Sequence, residues 1–219
     1  MAEAGLLYPK LAVFGASGPS GQEVVKQALA KGHSVTAVVR SPDKFTLSHD
    51  NLEVVKGDVF QADSLIPILE GKNAVMSCLG FHRGTFFTPT TLYSKSITEI
   101  ITAMERNGIE RLVCITGIYT QNDPANPRWI TMLRPFMRSF INDMVLMENT
   151  VMKSNLIYTI MRPPILTKGA ATDNYMVAEG QFVPNASSSL SRADLAHFML
   201  KSLQSNEWDK KGMAIAGGK

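Results

Sequence analysis

Three glycines spaced by three, Gly15, Gly18 and Gly21, follow the apolar run at residues 11–14 without a break. Residues 22–30 come next and read as a helix, with Val25, Ala28 and Leu29 on one face and Gly32 just past the end. A strand, a glycine turn and a helix in that order make a cradle for phosphate. Gly15 permits a sharp turn because it adopts positive φ at low cost. Gly18 has no side chain, so a pyrophosphate can approach the backbone, and Gly21 lets the helix pack closely on the strand. The free N–H groups and the positive dipole end at the helix start then face the anion, with Ser17 and Ser20 as further donors. This arrangement reads as a dinucleotide site; the plain alternative is an ordinary glycine-rich turn.

The next residues to carry chemistry stand where the adenosine of such a ligand would lie. Residues 34–40 read as a second strand ending in Arg40, with Ser41 and Lys44 after it. In dinucleotide folds an acidic residue at this place holds a free ribose 2′-hydroxyl, and an arginine suits a 2′-phosphate. A planar guanidinium takes a phosphate bidentately and stacks on adenine, which favours NADPH over NADH. Asp43 opposes this but lies past the turn begun by Pro42, and the alternative role for Arg40 is a solvated charge. Residues 52–56 read as a third strand closed by Gly57, Asp58 and Val59. Asp58 is placed to accept from the adenine amino group, with Val59 as a floor, or else simply caps the turn.

On the other side of the glycines, residues 74–79 read as a buried strand ending in Gly80. The loop at 81–89 leaves the carboxyl end of that strand, where open α/β sheets bind ligands. Its Arg83 suits an anionic substrate group or the cofactor pyrophosphate. His82 is a possible proton donor, though a solvated loop histidine is the simpler reading. His33, His49 and His197 show no partner pattern, so no metal site is expected. Residues 111–116 read as a fifth strand, leading through Gly117 and Ile118 to Tyr119; Thr116 and Tyr119 are the candidate catalytic residues. Arg83, Tyr119 and Trp129 are the candidate substrate contacts.

The supporting elements follow from periodicity. A short helix is expected at 64–70, with Pro67 in its first turn, and a long one at 90–107 with Ile97, Ile100, Ile101 and Met104 as one buried stripe. Residues 120–128 are turn-rich, and 129–153 read as one helix, or two joined near Pro135. Its methionines, Met132, Met137, Met144, Met147 and Met152, read as core filling before ligand contact. Arg128, Arg134 and Arg138 read as a solvated face before a rim for an acidic substrate. Residues 156–162 form a sixth strand stopped by Pro163 and Pro164, and 165–190 look irregular, with Tyr175 and Phe182 available to cover a pocket. Residues 192–203 form the last helix, started by Ser191, and 213–216 a final short strand.

Strands alternating with helices imply an α/β fold, a doubly wound parallel sheet. At 219 residues one domain covering 1–219 is expected, with substrate-side elements from 81–90, 117–140 and 163–190. A net charge of +3 without a basic block argues against nucleic acid. Cys78 and Cys114 sit in apolar runs and read as unpaired thiols of a reducing compartment. The first ten residues lack a basic region followed by an apolar core, and no apolar run approaches the roughly 18 residues of a membrane span. The expectation is a soluble cytoplasmic protein without a membrane or nucleic-acid partner.

The chain resembles the atypical short-chain dehydrogenase/reductases with an NmrA-like Rossmann fold. More narrowly it is similar to the flavin reductase (NADPH), or biliverdin-IXβ reductase, type. The resemblance is carried by AVFGASGPSG at 12–21, VTAVVR at 35–40, GDV at 57–59, CLG at 78–80, TPTT at 88–91, MRPP at 161–164 and DLAHFMLKSL at 194–203. It implies that Gly15, Ser17, Gly18, Pro19 and Ser20 hold a pyrophosphate and that Arg40 and Lys44 hold a 2′-phosphate. Asp58 and Val59 would meet adenine. Leu79, Gly80, Phe81, Thr116 and the backbone of Pro163, Pro164 and Ile165 would frame the nicotinamide of NADPH. It also implies a monomer acting on a small-molecule acceptor of flavin or tetrapyrrole class, with Phe81, Phe86, Tyr119, Trp129 and Ile165 as a flat apolar platform.

The departures are specific. No tyrosine has a lysine four residues later; Tyr119 is followed at that spacing by Asp123 and Tyr158 by Arg162. Met144 stands where many NmrA-like relatives carry a lysine. Gly117 replaces the flavin reductase serine, and Ile165 its histidine. Two readings therefore stand: an NADPH-dependent reductase whose acceptor takes its proton from solvent, which the resemblance favours, and a non-enzymatic NADP(H)-binding sensor or scaffold, which the missing Tyr–Lys pair favours.

Overall fold

The structure is a computed structural model that describes residues 5–80, 90–118, 120–121 and 138–218. It begins β1 (Lys10–Phe14), α1 (Pro19–Ala30), β2 (Ser34–Val39), β3 (Leu52–Lys56), α2 (Ala62–Leu69) and β4 (Ala74–Ser77). Then come α3 (Leu92–Arg106), β5 (Arg111–Ile115), α4 (Arg138–Lys153), β6 (Ile157–Arg162) and β7 (Ile165–Thr167). The chain closes with β8 (Tyr175–Glu179), β9 (Ser189–Ser191), α5 (Arg192–Lys201) and β10 (Lys211–Gly217).

Eight strands form one sheet in the order β3-β2-β1-β4-β5-β6-β10-β8, while β7 and β9 pair separately. All pairs of the large sheet are parallel except the last, in which β8 runs antiparallel to β10. Helices cover both faces, so central strands must be apolar on both sides. Every residue of β4 and β5 is accordingly buried. Along β1 the side chains alternate: Leu11 and Val13 join the core under α1 and α5, whereas Ala12 and Phe14 join the core under α2, α3 and α4. This is one α/β domain of doubly wound, Rossmann-like form.

Three expectations need correction. The first helix begins at Pro19, not at residue 22, because the proline supplies a preset φ at the first helical position and lacks an N–H that would be unpaired there anyway. Pro67 lies well inside α2, not in its first turn, since α2 begins at Ala62, whose N–H donates to Glu99 Oε2 on α3 at 2.9 Å. Pro67 is solvent-exposed, so the carbonyl it leaves unpaired faces water. Residues 165–190 are not irregular but contain β7, β8 and β9. Tyr175 is not on the wall of the cavity described below: its ring meets Phe198 edge-on at 5.7 Å, and its hydroxyl lies 2.9 Å from His197 Nδ1. Phe182 is half-buried beside Gln181 and is not on the cavity wall described below.

Met144 and Met147 are buried in the core as expected, while Met152 is exposed. Of the segment expected to be helical at 129–153, residues 129–137 lie outside the described residues. Cys78 and Cys114 are buried and unpaired. Among the described residues no helix is long and apolar enough to cross a membrane, and none form a metal-binding group of histidine, cysteine and carboxylate.

Candidate functional site

In the strand order, β1 has β2 on one side and β4 on the other, so the chain reverses its winding at β1. Ligands bind such sheets at the carboxyl ends of the strands beside that reversal. A cavity of about 410 Å³ opens there. Gly15, Ser17 and Gly18 form its floor; Val38, Val39 and Arg40, with Gly57, Val59 and Phe60, form one flank; Cys78, Leu79, Gly80 and Leu92 form the other.

The glycine turn is built by contacts that exclude side chains. Gly15 has φ +71°, and a Cβ there would stand 2.6 Å from the Cys78 carbonyl oxygen. Its own carbonyl accepts from Gly18 N at 2.9 Å. A Cβ on Gly21 would stand 2.2 Å from the Gly15 carbonyl oxygen. The sharp turn and the tight helix seat are therefore real.

Helix N-termini separate the anion site from the rest of the fold. α2 is capped by Glu99. At α3 the Asp143 carboxylate accepts from Tyr93 N at 2.9 Å and Ser94 N at 3.2 Å, and from the Ser94 hydroxyl. α5 has Asp194 in its first turn, hydrogen-bonded to the Ser191 cap. Only α1, among the helix starts described with their caps, has neither a side-chain cap nor an acidic first turn, and its start faces the cavity. An N-terminus left without a carboxylate fits an anion such as a pyrophosphate. The residues present thus fit a dinucleotide: Gly15, Ser17 and Gly18 line the cavity, while Pro19, Ser20 and Gly21 follow in the first turn of α1 and are not on its wall.

Arg40 follows β2 directly, is exposed on the cavity flank, and makes no ion pair within the described residues. Lys44 is exposed on the short turn Pro42–Lys44 and is not on the wall. Asp58 turns to its own loop, where its carboxylate accepts from Phe60 N at 2.9 Å and Gln61 Nε2 at 3.1 Å. The turn-capping alternative describes this side chain. Val59 does line the cavity, and so does Phe60, 48% exposed, which the sequence reading missed. An aromatic residue right after Asp58 and Val59 was the available signal.

Burial pushes the Cys78 thiol up to about 12, making it a neutral apolar wall. Leu79 and Gly80 continue that wall. The β4–β5 pairing ends at Ser77↔Cys114, and Thr116, half-buried, directly follows β5 and is not on the cavity wall. The Thr116 hydroxyl does not point outward as a donor: it donates to Glu148 Oε1 at 2.7 Å. Glu148, fully buried on α4, pairs with Arg162 at the end of β6 at 2.8 Å, and Arg162 Nε also donates to it at 3.1 Å. Thr120 and Gln121 reach the same carboxylate. Gly212 on β10 makes this possible, because a Cβ there would stand 2.2 Å from the Arg162 guanidinium.

This polar cluster escaped the sequence reading. Its signal was a glutamate within the buried stripe of Met144, Met147 and Val151, and an arginine closing an apolar strand.

Pro163 is buried, and its carbonyl accepts from Ile118 N at 3.2 Å. Pro164 is half-buried, and Ile165 is 71% exposed on β7. Among the described residues, a Cβ on Gly117 would meet only the Met144 thioether, at 3.8 Å. Arg138 is exposed at the start of α4, as a solvated charge would be. Phe81, His82, Arg83, Phe86, Tyr119, Arg128, Trp129 and Arg134 lie outside the described residues.

A family model described as NAD(P)H-binding matches residues 15–206. The chain belongs to that NAD(P)H-binding family. As a family member it is 29% identical over 185 residues to an uncharacterized chloroplastic protein of Arabidopsis thaliana, covering 80% of this chain and 66% of the other. It is 22% identical over 219 residues to the Photosystem II assembly factor Ycf39 of Synechocystis, covering 96% and 63% respectively. The chain thus spans just under two thirds of the length of these curated relatives.

Among solved structures, the oxidoreductase ylbE of Lactococcus lactis superposes with a TM-score of 0.81 at 18% identity, over 96% of this chain and 91% of that one. A wide-type short-chain dehydrogenase/reductase of Veillonella parvula in complex with NADP gives 0.78 at 17% identity, over 97% and 95%. At such identities the likeness is one of fold.

Proposed function

We propose that this NAD(P)H-binding chain is an NADPH-dependent oxidoreductase that passes hydride to a flavin, a biliverdin or a similar conjugated acceptor. The observation that carries the reading is one cavity with the uncapped start of α1 on its floor and Arg40, without an ion pair among the described residues, on its flank. The first suits a pyrophosphate and the second a 2′-phosphate. Val59 and Phe60 give the adenine an apolar seat between them. The reduced nicotinamide supplies the hydride. The chain would hold the ring against Leu79 and Gly80, with Cys78 as a dry, neutral wall behind them.

A conjugated acceptor suits the remaining side chains. No described side chain on that wall offers an acid, and the Thr116 proton beyond it is turned to Glu148. An acceptor that spreads the incoming electron pair over a π-system takes its proton from water, and position does the rest. The family resemblance to the flavin reductase type points the same way, as does its implication of a monomer.

The inward-turned Thr116 hydroxyl and a relative named as an assembly factor favour a second reading, an NADP(H)-binding sensor or scaffold without turnover.

The deciding experiment measures NADPH oxidation by the purified protein with FMN and then with a biliverdin. Arg40→Ala is the control, expected to weaken NADPH about 10- to 100-fold, the range of a hydrogen bond to a charged group, and to leave NADH nearly unchanged. Turnover that falls in the control supports the reductase. Tight NADPH binding with no oxidation by either acceptor supports the sensor. Equal loss of both cofactors in Arg40→Ala removes the 2′-phosphate role.

A further inference from the structure

The β-strand order gives the cavity a direction. Arg40, Val59 and Phe60 stand over β2 and β3, the glycine turn over β1, and Leu79 and Gly80 over β4. A dinucleotide with its 2′-phosphate at Arg40 and its pyrophosphate at α1 must carry its nicotinamide toward β4 and β5. Thr116 directly follows β5, past the cavity wall of Leu79 and Gly80.

The polarity of Thr116 is set from behind. A threonine hydroxyl has one proton and two lone pairs, and an ionised carboxylate only accepts. Glu148 Oε1 lies 2.7 Å from the Thr116 oxygen. Among the described residues the other acceptor near that proton, the Met161 carbonyl at 3.4 Å, also lies on the protein side. Arg162 keeps the carboxylate in place through both of its oxygens, at 3.1 Å and 2.8 Å, and is itself fixed by the Gly180 carbonyl at 2.9 Å. On its side away from Glu148 and Met161, Thr116 therefore presents lone pairs only.

Resting on the dinucleotide reading above, we infer that Glu148 is a positioning residue. It holds the Thr116 proton and so makes Thr116 an acceptor for the carboxamide N–H of the nicotinamide. The assignment also removes Thr116 as a proton donor to the acceptor, and gives the buried Glu148–Arg162 pair a role beyond packing: it selects an amide-bearing ring.

The test is binding, by titration calorimetry, of three nucleotides: NADP⁺, its nicotinic acid analogue with a carboxylate in place of the amide, and 2′-phosphoadenosine diphosphoribose, which lacks the ring. The wild type should prefer NADP⁺ over the acid analogue by at least about 3- to 10-fold, the range of one neutral hydrogen bond. Thr116→Ser should keep that preference. Thr116→Val should lose it, with the ring-less nucleotide binding as before. Glu148→Gln, judged folded by circular dichroism, should narrow the preference, because a glutamine can donate to Thr116 and release its proton.

Equal binding of amide and acid by the wild type overturns the assignment, since a free hydroxyl would donate to the carboxylate. So does a preference that survives in Thr116→Val. If Glu148→Gln unfolds, the wild type and the Thr116 pair still decide the matter. Failure of all three nucleotides to bind overturns the dinucleotide reading itself, whereas equal binding of all three overturns only the role of Thr116 and Glu148.

Discussion

At the scale of single residues, the site depends on where a Cβ is forbidden. Gly21 and Gly117 look alike in the sequence, each a glycine at the edge of the expected ligand. The structure separates them: a Cβ on Gly21 runs into the Gly15 backbone at 2.2 Å, while one on Gly117 reaches, among the described residues, only the Met144 thioether at 3.8 Å. Backbone cannot yield as a flexible side chain can. Gly21→Ala is expected to push α1 off its seat, lowering the melting temperature and abolishing cofactor binding. Gly117→Ala should change neither beyond roughly 0.5 kcal/mol, the scale of substitutions away from such features. Thermal unfolding with and without NADP⁺ reads both, and equal effects from the two alanines would contradict the geometry.

At the scale of elements, helices cap one another with carboxylates. Glu99 of α3 caps α2, and Asp143 of α4 caps α3. Asp143 is 3% exposed, so its removal leaves the N–H groups of Tyr93 and Ser94 without their acceptor in a dry place. Asp143→Ala should cost about 1–3 kcal/mol in urea unfolding. It should also weaken cofactor binding, because Leu92 at the start of α3 lines the cavity. Asp143→Asn, which still accepts, should lose less. A loss in Asp143→Ala no larger than that of an exposed control such as Asn142→Ala would show that the cap contributes nothing.

At the scale of the whole molecule, one buried histidine ties the edge away from the site together. His33 is 1% exposed; its Nδ1 lies 2.9 Å from the Tyr8 carbonyl, and its buried Nε2 has no partner among the described residues. Burial lowers its pKa below the ordinary 6.5, the Tyr8 carbonyl draws it partly back, and the Lys31 charge lowers it further. The unfolded chain therefore binds the proton more readily than the folded one. This contribution to stability is complete above about pH 6.5 and is lost as the pH falls below it. Urea unfolding from pH 5 to pH 8 should show stability rising with pH up to that point. His33→Gln should flatten the rise, and an unchanged slope in that variant would assign it to other groups.

What the sequence by itself determined were the features that local chemistry dictates. The glycine spacing after an apolar run specified the turn, the alternation of strands and helices specified a doubly wound sheet, and the order of residues put Arg40 at the end of β2 beside the cavity. Tertiary structure decided what depends on partners distant in the chain. β8 exists because β10 pairs with it, and its half-exposed residues carry no strong period of their own. Pro67 sits inside α2 because Glu99, far along the chain, starts that helix early. Asp58 serves its own turn instead of standing on the cavity wall. Glu148, Arg162 and Gly212 are separated in sequence and meet only when β6 and β10 pair beneath α4. A buried ion pair has no local signature, because what makes it tolerable is the partner that folding brings to it.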